Sequence, residues 1–294
     1  MRFTVSDNTV LVTDGGLATE LEARGHDLTD DLWSARLLMD APEEIAAVHD
    51  AFFAAGAVIA TTASYQASFD GYAQRGIDRT DAELLLRRSV ELGKAARDRA
   101  GGTGWVAASV GPYGATLAGG EEYIGRYGLS VSALADWHRP RLEVLTAAQP
   151  DVLALETVPD IDEAEALVAL LQDLGAPAWL SYTIAGEHTR AGQPLAEAFA
   201  VAAGVPEIVA VGVNCCAPGD VLNAVTVAHD VTGKPVVVYP NSGEVWDGAG
   251  RHWTGNAGFS PALAADWVAA GARIVGGCCR IRPADIAGIA AAVR

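Results

Sequence analysis

The chain has 294 residues, enough for two average domains or for one α/β barrel, which typically takes about 250 residues. Hydrophobic residues make up 50% and charged residues 19%, a composition that excludes a disordered chain. Asp and Glu number 37 against 20 for Lys and Arg, and the formal net charge of -17 argues against nucleic acid and anionic membranes as partners. Small-molecule substrates are the expected partners.

The N-terminus shows no basic region followed by a long apolar one, so no signal peptide is expected. No apolar run reaches the roughly 18 residues that span a bilayer. We therefore expect a cytoplasmic protein. Four cysteines, three of them at predicted strand ends, indicate metal or redox chemistry and not a disulfide framework.

The first predicted strand, residues 10–13, runs into the motif Asp14-Gly15-Gly16 and then into a polar loop. A helix begins at residues 40–44, where Asp40 is a possible cap and acidic residues lie near the positive end of the helix dipole. Gly56 closes this helix. The remaining strands are predicted at residues 58–62, 105–110, 151–156, 178–183, 208–215 and 235–239 and from 273 towards the last two cysteines. Helices are predicted near 80–100, 130–149, 160–173, 194–203, 219–231 and 260–270 and from 283.

Eight βα units follow one another, and their strands are rich in Val, Ile, Leu and Ala, as expected of strands buried on both faces. This pattern predicts an α/β fold, a (β/α)₈ TIM barrel that forms a single domain over residues 1–294. Helix-to-strand connections are short, whereas several strand-to-helix connections are long, such as 111–130 and 240–260. A barrel places those long loops on its C-terminal face, so the chemistry is expected at the C-terminal ends of the strands.

Three cysteines fall at such ends and predict a zinc site. Cys215 ends the sixth strand, and Cys278 and Cys279 follow Gly276-Gly277 after the eighth strand, where the glycines let the backbone turn. Successive strand residues face opposite sides, so only one of Cys215 and Cys216 is expected to reach the ion, and the pattern leaves open which one. Two other interpretations are small buried hydrophobes and a redox disulfide between the adjacent cysteines.

Three thiolates indicate which atom reacts. Zn²⁺ with three Cys⁻ carries a net charge of -1, and a substrate thiolate in the open position makes it -2, so electron density remains on the sulfur. Neutral His ligands would suit a Lewis acid that makes hydroxide. The ligand set therefore favours a sulfur nucleophile. Asp14 and Glu156, at the ends of the first and fourth strands, are either capping acids or a pair that holds the α-ammonium group of an amino-acid substrate.

The chain resembles the homocysteine S-methyltransferase family over essentially its whole length, and it looks most similar to the short bacterial and plant members that use S-methylmethionine. The matching motifs are Asp14-Gly15-Gly16 with Ala18-Thr19-Glu20-Leu21, Thr62-Ala63-Ser64-Tyr65-Gln66, Ser109-Val110-Gly111-Pro112-Tyr113-Gly114, Glu156-Thr157, Val213-Asn214-Cys215, Val238-Tyr239-Pro240-Asn241-Ser242-Gly243 and Gly276-Gly277-Cys278-Cys279-Arg280. The last three in this order are specific.

The resemblance implies a zinc barrel with Cys215, Cys278 and Cys279 as ligands, and so favours Cys215 over Cys216. It implies that homocysteine is methylated to methionine by a sulfonium donor, either S-methylmethionine or S-adenosylmethionine. The substrate-binding residues that follow from it are Asp14, Thr62, Ser64, Tyr65, Glu156 and Asn214. Aromatic rings in or near the long loops are candidates to contact a cationic donor, although packing explains most such rings and none is favoured individually: Tyr65, Trp105, Tyr113, Tyr123, Tyr127 and Trp246.

One departure bears on the donor. Betaine-dependent relatives have a tyrosine after the glutamate, and Thr157 stands there in this chain. Betaine is therefore the less favoured donor. A further alternative is a non-catalytic zinc or thiol sensor built on a barrel, which would need no pair of carboxylates at the mouth.

Overall fold

Eight parallel strands form one sheet that curls into a barrel, with the helices outside it. The structure is a computed structural model that describes residues 3–6, 8–29, 32–117, 119–247 and 252–294. The barrel strands are β1 (Leu11–Val12), β2 (Ile59–Thr61), β3 (Trp105–Val110), β4 (Val152–Val158), β5 (Ala178–Tyr182), β6 (Ile208–Asn214), β7 (Val236–Tyr239) and β8 (Ala272–Val275). The predicted (β/α)₈ fold is confirmed.

Neighbouring strands pair in the order β1-β8-β7-β6-β5-β4-β3-β2. The two ends of this sheet meet, because Thr13 forms a parallel bridge with Ile59 and the Val58 amide donates to the Val12 carbonyl at 2.7 Å. In this order β8 pairs with β7, and β7 is the one strand between β6 and β8. The ends of β6 and β8 therefore lie close together, as the cysteine pattern requires.

The α-helices of the described residues are α1 (Leu17–Ala23), α2 (Leu37–Asp40), α3 (Pro42–Ala54), α4 (Phe69–Ala73), α5 (Arg79–Arg99), α6 (Val131–Ala147), α7 (Ile161–Leu174), α8 (Leu195–Ala200), α9 (Val221–Thr232), α10 (Leu263–Ala269) and α11 (Pro283–Ala292). Side-chain caps begin several of them: Asp78 accepts from the Asp81 amide at 2.9 Å, and Ser130 from the Ala133 amide at 3.2 Å. None of the described helices is both long and apolar enough to cross a membrane.

The structure adds short elements inside the long loops. The stretch after Gly16, predicted as a polar loop, contains α1, the 3₁₀ helix Trp33–Arg36 and α2. These are at most seven residues long, too short for an apolar repeat to show in the sequence. Two further 3₁₀ helices, Tyr113–Leu117 and Glu121–Tyr123, follow β3, and an antiparallel hairpin pairs Ile184–Ala185 with His188–Thr189.

Large rings close the lower part of the barrel. Trp179 and Tyr239 point inside, where the Trp179 Nε1–H donates to the Tyr239 hydroxyl at 3.0 Å. Phe3 packs edge-on against Trp105, the first residue of β3, with ring centroids 5.3 Å apart. Phe3 thereby covers the N-terminal mouth, and the space that remains lies above these rings, at the C-terminal ends of the strands.

Gly212 sets how closely β6 approaches β7. It pairs with Val237, and a Cβ at this glycine would fall on the Val237 carbonyl oxygen. We expect Gly212→Ala to lower the free energy of unfolding by more than about 3 kcal/mol, because a backbone atom cannot move aside as a side chain can. Urea unfolding measures this. Gly219→Ala is the control, since a Cβ there meets nothing within 4 Å and so should cost little. Equal stability of the two variants would contradict the packing argument.

Candidate active site

A cavity of about 540 Å³ opens at the C-terminal ends of the barrel strands. Its lining includes all three predicted metal ligands, Cys215, Cys278 and Cys279, and four of the six predicted substrate-binding residues, Asp14, Thr62, Tyr65 and Glu156. The other two, Ser64 and Asn214, are buried immediately behind the wall, with 1% and 0% of their surface exposed. The structure thus brings the predicted residues together: seven line the cavity and two lie directly behind its wall.

The three sulfurs converge within 4.8 Å of one another. The Cys279 sulfur lies 3.9 Å from that of Cys215 and 4.0 Å from that of Cys278. The sulfurs of Cys215 and Cys278 are the closest pair, 2.50 Å apart. The adjacent cysteines, between which a disulfide was predicted as an alternative, are not the closest pair of the cluster. A bond between two of the sulfurs and metal binding by all three are mutually exclusive states of one cluster.

Close packing, and not a left-handed turn, explains the two glycines before the cysteines. A Cβ on Gly276 would collide with Thr13 and the Asp14 carbonyl, and one on Gly277 would collide with the Ile281 side chain. The Gly277 amide donates to the Asp14 carbonyl at 3.2 Å. These contacts press the loop after β8 against the end of β1. The predicted turn at these glycines is thus better described as a close approach of two backbones.

Cys216 does not belong to the sulfur cluster. Its side chain packs in the apolar layer between strands and helices, and burial raises the pKa of its thiol to about 12. Cys215 adopts a positive φ of 48° at the end of β6, which directs the two cysteines to different environments. Only one of the pair reaches the cavity, as the sequence predicted, and it is Cys215.

The donor set fits a cation that prefers sulfur. Burial, together with the nearby carboxylates of Glu122 and Glu22, raises the pKa of the Cys279 thiol to about 12. A thiol in such an acidic cavity stays protonated unless a positive ion compensates for the charge of the thiolate. Three sulfurs that converge at the wall of one cavity, two of them from half-buried residues, also do not fit the interpretation that they are small buried hydrophobes.

Asp14 and Glu156 form a second cluster in the same cavity. The Thr61 amide donates to Asp14 Oδ2 at 2.6 Å and the Thr61 hydroxyl donates to Oδ1 at 2.8 Å. Despite these bonds, burial raises the pKa of Asp14 to about 7. Burial, with a smaller contribution from the neighbouring charge of Asp14, likewise raises the pKa of Glu156 to about 7. No described cation acts on either carboxyl group, so the pair is suited to an incoming ammonium group.

A chain of hydroxyl groups fixes Glu156. The Ser64 hydroxyl donates to the Ser109 carbonyl at 2.7 Å, and the Thr62 and Ser64 hydroxyls are 2.7 Å apart. Since the single O–H of Ser64 is used, Thr62 donates to Ser64 and accepts from the Ser109 amide at 3.1 Å. The Ser109 hydroxyl then donates to Glu156. The contacts of Ser64 in the structure are thus with the protein; its role towards substrate stays a prediction.

Asn214 supports the residue after Glu156. Thr157 has a positive φ of 59°, which is strained for a β-branched residue. Its amide donates to Asn214 Oδ1 at 2.7 Å, and Asn214 Nδ2 donates to its hydroxyl at 2.7 Å. The Ser181 hydroxyl also donates to Asn214 Oδ1, at 2.8 Å. The structure shows Asn214 bracing Thr157, and a direct contact with substrate stays a prediction.

Sequence reasoning assigned no site role to several residues that the structure places in the cavity wall: Thr61, Ser109, Glu122 and Tyr239. Thr61 and Ser109 are polar residues near the C-terminal ends of barrel strands, and this position alone makes them candidate site residues. Glu122 lies in the loop after β3, where no regular pattern marks it. Tyr123, beside it, also lines the cavity and interacts electrostatically with Cys279.

The family model and the related proteins that match this chain all point to one family. Residues 11–293 match the homocysteine S-methyltransferase family. Homocysteine S-methyltransferase of Escherichia coli K12 is 46% identical over 99% of this chain and 97% of its own length. Homocysteine S-methyltransferase YbgG of Bacillus subtilis is 42% identical over 97% and 95%.

Solved structures give the same result. The metallated form of the homocysteine methyltransferase MmuM from Escherichia coli superposes with a TM-score of 0.86 at 46% identity, covering 97% of this chain and 96% of that one. The oxidised form of the same protein gives a TM-score of 0.87 over the same coverage. Metal-bound and oxidised states are thus both known for a protein of this fold.

The raised pKa of Glu156 predicts a pH-dependent stability difference. In the folded state the group keeps its proton up to about pH 7, whereas the unfolded value is 4.5. Stability from this group is therefore full below about pH 4.5 and is lost as pH rises through about 7. Relative to the parent, Glu156→Gln should gain on the order of 3 kcal/mol of unfolding free energy between pH 4.5 and 8. Urea denaturation of parent and variant at several pH values, without substrate, measures this difference.

Glu143→Gln, on an exposed part of α6, is the control and should show no such trend. A pH-independent stability difference for Glu156→Gln would contradict the burial argument.

Proposed function

The chain belongs to the homocysteine S-methyltransferase family, and we propose that it transfers a methyl group from a sulfonium donor to the thiolate of homocysteine, giving methionine. The observation that carries this proposal is that one cavity contains both a cluster of three cysteine sulfurs and a pair of buried carboxylates without a cation. Homocysteine has the matching groups, a thiol for the metal cluster and an ammonium group for the carboxylates.

We propose zinc as the metal and Cys215, Cys278 and Cys279 as the residues that hold it. When bound, zinc lowers the pKa of a coordinated thiol and so supplies a thiolate at neutral pH. Three thiolate ligands suit this task, since zinc binds thiolate sulfur well and needs no redox change. The ligands have to stay reduced, which supports the cytoplasm as the place of action.

The residues of the chain orient the amino acid. The ammonium group of homocysteine takes the place of the missing cation beside Asp14 and Glu156, and both carboxyl groups lose their protons as it arrives. The hydroxyl chain from Ser64 to Ser109 fixes Glu156, and Asn214 fixes Thr157 next to it. Since these contacts exist before substrate binds, little ordering is needed on binding.

The reaction balances without an acid. The homocysteine sulfur, already deprotonated, forms a bond to the methyl carbon while the bond from that carbon to the sulfonium sulfur breaks. The electron pair of the broken bond stays on the donor sulfur, which becomes a neutral thioether. No proton has to be given to the leaving group, so the protein contributes alignment and exclusion of water. With S-methylmethionine the second product is also methionine, and S-adenosylmethionine is the second donor that we propose.

The metal ligands can be tested separately from the donor. Elemental analysis of the reduced, zinc-loaded protein should find about one zinc per chain, and Cys278→Ser should lose most of it together with methyl transfer. Cys216→Ser is the matched control, because this cysteine is next in sequence to a proposed ligand yet packs outside the cluster. A Cys278→Ser protein that keeps its zinc, or a Cys216→Ser protein that loses it, would reject the ligand set.

The carboxylates distinguish an enzyme from a sensor. Asp14→Asn should weaken homocysteine binding by about 2–5 kcal/mol, because a buried charge pair loses one partner. The lower limit of about 2 kcal/mol corresponds to an increase of roughly thirtyfold in the KM of homocysteine. Steady-state kinetics with S-methylmethionine, and with betaine in parallel, measures this. Asp136→Asn, on the exposed face of α6, is the control. An unchanged KM in Asp14→Asn would remove this carboxylate from the substrate site, and turnover with betaine alone would reject the sulfonium donor.

A further inference from the structure

We propose that the carboxylate of Glu122 binds the sulfonium group of the methyl donor and thereby selects the charged donor over its neutral thioether. The inference rests on the proposed function and names the residue that recognises the donor. Glu122 lies in the 3₁₀ helix Glu121–Tyr123 after β3 and lines the same cavity as the sulfur cluster.

Glu122 is half-buried, and its carboxyl group has no positive partner among the described residues. Its Oε2 atom is buried and accepts no hydrogen bond in the described part of the chain. Burial raises the pKa of this carboxyl group to about 7, and no described cation acts on it. A buried carboxylate without a partner is unfavourable unless a cation arrives. The cavity therefore has a place for a positive ligand at Glu122.

Every other acid in the cavity has a partner or an assigned task. Asp14 and Glu156 accept hydrogen bonds and await the ammonium group of homocysteine. Glu244 pairs with Arg280 at 2.5 Å, and the charge of Arg280 also acts on Glu22. Arg280 is the only Lys or Arg among the described residues that line the cavity. Homocysteine supplies one positive charge, which the pair Asp14 and Glu156 binds. The positive partner of Glu122 therefore comes from the other substrate, the methyl donor.

The surroundings of Glu122 fit a sulfonium ion. The charge of Glu122 is the strongest charge acting on the hydroxyl of Tyr65, and Tyr123 is its neighbour in the chain. Aromatic ring faces attract cations that are weakly hydrated, such as methylated onium groups. Tyr123 and Cys279 line the same cavity and interact electrostatically, so this part of the cavity adjoins the sulfur cluster. The charged end of the donor would thus lie beside the thiolate that attacks it.

The loop that carries Glu122 is held at both ends. The Tyr113 amide donates to Glu163 at 2.6 Å, and the Arg126 amide donates to Asp160 at 2.9 Å. Gly114 permits the turn to close, because a Cβ there would collide with the backbone between Glu121 and Glu122. Glu122 is therefore positioned before any ligand binds, which is what selective binding needs.

The test compares a cation with its neutral counterpart. Dissociation constants for S-methylmethionine and for methionine, which differ by one methyl group and one charge, are measured calorimetrically on the zinc-loaded protein. The parent should bind S-methylmethionine, the sulfonium, more tightly than methionine.

Glu122→Gln should reduce this preference at least tenfold and raise the donor KM to a similar extent, with the KM of homocysteine unchanged. Glu122→Asp should restore part of the preference, and it serves in place of Glu122→Gln if that variant does not fold. Glu121→Gln, on the same turn, should behave as the parent.

Three outcomes overturn the proposal. An unchanged preference in Glu122→Gln would show that this carboxylate does not contact the sulfonium. An equal loss of affinity for both ligands would show that it holds the ammonium group or shapes the loop. A rise in the homocysteine KM alone would assign it to the other substrate. If the parent transfers no methyl group from any sulfonium donor, the proposed function itself fails, which the first activity measurement distinguishes from failure of Glu122 alone.

Discussion

The site depends on how closely the loop after β8 approaches the end of β1. Gly276 and Gly277 allow two backbones to touch there, and no side chain larger than hydrogen fits at either position. That contact sets where Cys278 and Cys279 lie relative to Cys215, which arrives from β6. It also ties the sulfur cluster to Asp14, whose carbonyl accepts the hydrogen bond from Gly277. The two halves of the site, sulfur and carboxylate, are thus connected through backbone and not through flexible side chains.

A second constraint is the unbalanced charge of the cavity. Burying Asp14, Glu156 and Glu122 in one space with few cations is unfavourable in the free protein, as the raised pKa values of all three show. Proteins accept such costs at sites that bind charged ligands. The rings of Trp179 and Tyr239 pack beneath the site, and Phe3 closes the barrel below them. This packed base lies directly under the buried carboxyl groups.

Much of the fold could be predicted, because eight buried strands separated by amphipathic helices leave a strong pattern. The cluster of three cysteines could be predicted as well, because the ends of β6 and β8 are separated by only one strand in the barrel. The short helix α1 escaped prediction because seven residues carry no clear repeat. Glu122 escaped for a different reason: its position depends on contacts of Tyr113 and Arg126 with the start of α7, which join distant parts of the chain. The contacts of Asn214 also join strands that are far apart in sequence, so its bracing of Thr157 was visible only in three dimensions.

The surplus carboxylate in the wall also bears on how the catalytic cycle ends. In the proposed reaction, a thiolate and a sulfonium ion become two neutral thioethers, so the positive charge that we propose Glu122 to bind disappears as the methyl group is transferred. The demethylated product then leaves a buried anion without a partner, and its affinity drops relative to the fresh donor. Under the proposed mechanism, this loss of charge favours exchange of the demethylated product for a new donor. A site of this kind would bind methionine, the neutral product, less tightly than the sulfonium donor.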